Sequence, residues 1–67
     1  SKETFEQMES QLKQQMLPIK ERMRSIDDNT DEWLDLYKVK HGLDIQLHNY
    51  KKIFSPIVLL QEIFSHD

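Results

Sequence analysis

The feature that most constrains this chain is a run of apolar residues, Phe5, Met8, Leu12, Met16, Ile19, Met23 and Ile26, spaced three and four apart without interruption. That period places all seven on one face of an α-helix and excludes the alternation of a strand. Thr4 followed by Gln7 has the form of a capping box, so a helix is expected to start at Phe5. Pro18 falls inside the run. A proline in a helix interior removes one hydrogen bond and crowds the preceding turn, at a cost of about 3 kcal/mol. The stripe nevertheless keeps its phase across Pro18, which favours one long helix kinked there over two separate helices.

Asp27, Asp28, Asn29 and Thr30 are turn and cap residues, and they form the clearest boundary in the chain. Asn29 with Glu32, or Thr30 with Asp31 and Glu32 behind it, caps a second helix with an acidic first turn, as the helix dipole prefers. Trp33, Leu34, Leu36, Tyr37 and Val39 supply its apolar face. Gly42, the only glycine, stands where a left-handed C-terminal cap is expected. Asp44 then reads as the N-cap of a third helix with Leu47, Tyr50, Ile53 and Phe54 on its inner face. Ser55-Pro56 opens a fourth segment, Ile57 to Phe64, apolar almost all round. The expectation is therefore an all-α fold, a small bundle of about four helices, in one domain over 1–67 excised from a longer protein.

With 67 residues and no cysteine, neither a disulfide nor a thiolate zinc site can supplement a small core, and stability is expected to be marginal. The apolar stretch from Ile53 to Phe64 is far short of the roughly 20 residues a membrane span needs. No charged-then-apolar leader precedes the first amphipathic segment, so an intracellular location is expected. Nine basic and twelve acidic residues give a net charge of -3, which disfavours a general attraction to nucleic acid or anionic lipid.

Few constellations suggest chemistry. His41, Asp44 and His48 have metal-ligand types and spacings, but with a helix ending at Gly42 they do not share one face, so no metal site and no cofactor are expected. His41 then caps a helix end and His48 is solvated. The carboxylates Asp27, Asp28, Asp31, Glu32 and Asp35 have no base among them and read as a solvated face. There is no phosphate-cradling glycine loop, no nucleophile beside a base, and no small-molecule substrate to expect, so the chain is read as a non-enzyme. Lys13, Lys20 and Arg24 share one helical face, and His48, Lys51 and Lys52 another, giving two small basic patches able to grip phosphates.

The segment from Lys13 to Asp27, KQQMLPIKERMRSID, resembles the first helix of the helical C-terminal domain of the chromodomain-helicase-DNA-binding chromatin remodellers. The positions that carry the likeness are Lys13, Met16, Pro18, Ile19, Lys20, Met23, Ile26 and Asp27. The resemblance implies an all-helical bundle in a nuclear protein, with DNA or nucleosome contact through Lys13 and Lys20.

The reading that results is a helical protein-interaction module in a nuclear, chromatin-associated protein. Its candidate contacts with a protein partner or a second copy are Met16, Met23, Tyr50, Phe54, Val58 and Leu59. The first alternative is a nucleic-acid-binding bundle using Lys13, Lys20, Arg24, Lys51 and Lys52. The second is a homodimer in which the stripe from Phe5 to Ile26 pairs with its copy.

Overall fold

The computed structural model describes residues 1–64. Two helices fill almost all of it: α1, Lys2–Ser25, and α2, Asp31–Phe64, joined by a short connection and packed antiparallel. The chain is therefore all-α but a helical hairpin, not a four-helix bundle. At about 1.5 Å per residue α1 is roughly 36 Å long and α2 roughly 51 Å. The molecule accordingly measures 55 × 16 × 12 Å.

The expected breaks in the second half of the chain are absent because a single seam runs through them. Trp33, Leu36, Lys40, Leu43, Leu47, Tyr50 and Phe54, alternately three and four apart, are the half-buried residues that follow one line along α2. That is the spacing of a coiled-coil seam. Gly42 lies off this seam, exposed, without positive φ and with nothing within 4 Å of where a Cβ would stand. Its helical cost, about 1 kcal/mol relative to alanine, is small beside the packing of Leu43 and Leu47 on α1. Asp44 is no cap either; it sits mid-helix, its carboxylate 2.9 Å from the Lys40 ammonium one turn earlier. Pro56 is likewise inside α2. Its ring leaves the Lys52 carbonyl without a helical donor, and both residues are exposed, where water can supply one.

In α1 one helix runs through Pro18, and again Pro18 and the Gln14 carbonyl it orphans belong to exposed residues. The helix starts earlier than the capping-box pattern indicates. Ser1 is the N-cap, its Oγ accepting from the Thr4 N–H at 3.2 Å, so Thr4 belongs to the first turn and its hydroxyl lies 2.9 Å from that of Ser1. At the other end Ile26 is extended, with φ -120° and ψ 161°, and turns the chain out of α1. Of the two caps open for the second helix, Thr30 is the one used. Its Oγ1 accepts from the Trp33 N–H at 3.2 Å and donates to the Asp27 carbonyl at 2.7 Å, while Asp27 Oδ1 accepts from the Asn29 N–H at 2.9 Å. The polar cluster thus folds the connection on itself as well as starting α2.

The core is thin. Leu12 and Met16, at 5% and 3% exposure, are the only buried apolar residues among those described. Phe5, Met8, Ile19, Met23 and Ile26 continue their stripe as half-buried neighbours. The 3-4-4 step from Phe5 to Met16 is an eleven-residue repeat, which relaxes the left-handed supercoil that strict heptads impose. At the open end Phe5 meets Phe54 with ring centroids 6.4 Å apart, and Tyr50 stands edge-on to Phe54 at 6.0 Å. Among the described residues, no helix is long and apolar enough to cross a membrane.

Candidate functional site

The two flanks of the hairpin differ in chemistry. On one, the Arg22 guanidinium forms a two-point ion pair with Glu32 across the connection, Nε to Oε1 at 2.7 Å and the second nitrogen to Oε2 at 3.1 Å. The hydrogen bond, reinforced by the opposite charge, raises the Arg22 pKa, and the same hydrogen bond holds the Glu32 carboxyl below its ordinary value. Farther along this flank Met8, Gln11, Leu12, Gln15, Gln46 and Tyr50 border a small hollow of about 170 Å³. The Gln46 amide donates to the Tyr50 hydroxyl at 3.2 Å.

The other flank gathers basic and aromatic side chains. Lys13, Lys20 and Arg24 follow one another at intervals of seven and four along α1, and Lys40 and Lys51 face them from α2. Two observations fix this arrangement. Glu9 is shared by Lys13 and Lys51, each 3.5 Å from one of its oxygens. Lys20, Arg24 and Lys40 line a common hollow of about 350 Å³ whose apolar floor is Met23 and Trp33. The two basic patches read separately from the sequence therefore meet, except that Lys52 is turned roughly 100° around the helix from Lys51. Beside the hollow the Trp33, Tyr37 and His41 rings stack in a row, 5.5 Å and 5.8 Å between centroids and 11° and 6° between planes.

Placed against the expected contact residues, the structure separates them into groups. Met16 is buried between the helices and holds the hairpin together. Met23 lies in the hollow. Tyr50 and Phe54 are half-buried in the aromatic cluster with Phe5, and Leu59 is exposed at 57%. The side chain of Val58 lies outside the described residues. The seam position of Lys40 and the packing of Trp33 against α1 put both into the hollow; neither stood among the candidate residues, although the seven-residue interval between them was readable.

The continuous α2 also revises the geometry of His41, Asp44 and His48, which at i, i+3 and i+7 now share one flank. Asp44 is taken by Lys40 and His41 is stacked on Tyr37, and no three histidine or acidic side chains converge among the described residues.

Apolar residues without cover are the other candidate surface. Ile53, Ile57, Leu59, Leu60, Ile63 and Phe64, in the last turns of α2, are 46% to 81% exposed. Ile53 through Gln61 contains no charged residue. Compared with known protein families, curated proteins and solved structures, the chain matches none.

Proposed function

We propose that this hairpin is a protein-protein interaction module whose uncovered apolar surface at the end of α2 is completed by a partner segment or by a second copy. The observation that carries it is the exposure of Ile57, Leu59, Leu60, Ile63 and Phe64 in a chain whose described core contains two buried side chains. Six half-exposed apolar residues, counting Ile53, present on the order of 500 Å² of apolar surface, at the upper end of the largest patch on an ordinary monomer. Candidate contacts are Leu59, Val58 and the edges of Tyr50 and Phe54. The stripe from Phe5 to Ile26 packs on α2 of the same chain, with Leu12 and Met16 buried and its other members half-buried. The nuclear, chromatin-associated setting draws its support from the likeness of Lys13 to Asp27 alone.

The test is sedimentation equilibrium across micromolar concentrations, with circular dichroism on the same samples. Leu59→Asp with Ile63→Asp is expected to abolish self-association, or capture of a purified partner, at unchanged helicity. If the double variant associates and captures as the parent does, the proposal fails.

A second reading, DNA or nucleosome contact through Lys13, Lys20, Arg24, Lys51 and Lys52, has its support in the convergence of four of these on one flank. Gel-shift titration at two salt concentrations tests it. Binding that falls steeply with salt, and weakens for every sequence on Lys51→Ala, is the expected result.

A further inference from the structure

We infer that the hollow between Lys20, Arg24 and Lys40 is a docking site for an acidic peptide segment carrying one aliphatic anchor. This surface lies on the flank of the hairpin near the connection, so the inference stands independently of association through the end of α2.

Three features specify the occupant. The first is charge: among the described residues neither Lys20 nor Arg24 has an ion-pair partner, and of the three cations around the hollow only Lys40 is paired, with Asp44. None of the other acidic residues near this end, Glu21, Asp27, Asp28, Asp31, Glu32 and Asp35, is ion-paired with Lys20, Arg24 or Lys40 among the described residues. Glu32 is held by Arg22 on the opposite flank, and Asp31 and Asp35 fall on the back of α2 by the helical repeat. A segment bearing carboxylates therefore meets unneutralised positive charge here although the whole chain is acidic.

The second is the floor. Met23 adapts to the shape of what lies on it, and Trp33 offers a flat apolar face braced from behind by Tyr37. A volume of about 350 Å³ takes one leucine- or methionine-sized side chain and part of the backbone on either side, and is small for a folded surface. The third is reach: Lys20 and Arg24, one turn apart on α1, face Lys40 across the floor, so carboxylates on both sides of a single anchor have cations to meet. This is the pattern by which an amphipathic segment lies in a groove. A phosphate backbone satisfies the charge but leaves the apolar floor unused.

Trp33 is the only tryptophan, so its fluorescence reports on the hollow directly. The probe is an acetylated and amidated peptide of glutamate and alanine with one central leucine, free of aromatic residues, titrated into the full chain. Saturable change in Trp33 emission is expected, weakened about tenfold by Lys20→Glu with Arg24→Glu, by leucine-to-serine replacement in the peptide, and by raised salt. Lys38→Glu, exposed on the back of α2, is expected to leave the titration unchanged, and circular dichroism verifies that each variant stays helical. The inference is overturned if the peptide leaves Trp33 emission unaltered, or if Lys38→Glu weakens binding as much as the paired reversal. An oligothymidylate of equal charge that binds more tightly than the peptide overturns it in favour of a phosphate backbone. Self-association abolished by Lys20→Glu with Arg24→Glu overturns it in favour of the acidic run of a second copy.

Discussion

Single residues set how marginal this hairpin is. Gly42 sits in an exposed helical position with open space where a side chain begins, so it contributes backbone freedom to the unfolded chain and no contact to the folded one. Gly42→Ala is expected to stabilise the hairpin by about 0.5 to 1 kcal/mol, read as a rise in the thermal midpoint by circular dichroism. The Arg22–Glu32 pair acts in another way. Its hydrogen bond holds the folded Glu32 carboxyl below the unfolded value, so its stabilisation is fully present above the unfolded pKa and is lost as pH falls through the folded one. Both groups are solvent-exposed, which makes the contribution small and salt-sensitive. Acid titrations of the parent and of Glu32→Gln are expected to differ above the ordinary carboxylate range and to converge below it.

At the scale of the elements, the connection depends on Thr30. It caps α2 and ties the turn to Asp27 through the same hydroxyl. Thr30→Ala is expected to cost about 1 kcal/mol, checked by urea denaturation with an unchanged slope. The boundary at 27–30 was legible because cap chemistry, an acidic first turn and the end of an apolar stripe coincide there. Where only one such signal stood, it misled. Gly42 and Ser55-Pro56 resemble helix ends locally, yet Leu36, Lys40, Leu43 and Leu47 keep step across the first, as Tyr50, Phe54 and Ile57 do across the second. The continuity of phase that correctly carried α1 through Pro18 applied equally to both; Lys40 in the seam disguised it by putting a charge where an apolar residue was looked for. Thr4 was outranked by Ser1 for a similar reason, since both can cap and the longer helix satisfies more of the backbone. For the candidate sites, helical spacing revealed each basic row but not their meeting, because that depends on how one helix is rotated against the other.

The whole molecule is an elongated pair of rods. Its radius of gyration, 16.0 Å, exceeds the roughly 11 Å of a compact domain this long. A two-layer hairpin gives every residue at most one neighbouring helix, so the apolar side chains that a four-helix arrangement was expected to enclose remain outside. That is why the end of α2 carries a row of exposed apolar side chains while only Leu12 and Met16 are buried among the described residues.

The connection has a kinetic consequence as well. Arg22 and Glu32 are ten positions apart in sequence, Glu9 and Lys51 forty-two, Phe5 and Phe54 forty-nine. Pairing that begins at the turn closes each further contact as a small extension of a loop already closed, whereas pairing that begins at Phe5 must close the longest loop first. The hairpin is therefore expected to zip outward from Thr30. In stopped-flow or temperature-jump chevrons, Thr30→Ala should chiefly slow folding and Phe54→Ala chiefly speed unfolding, and the reverse pattern would place the nucleus at the aromatic end.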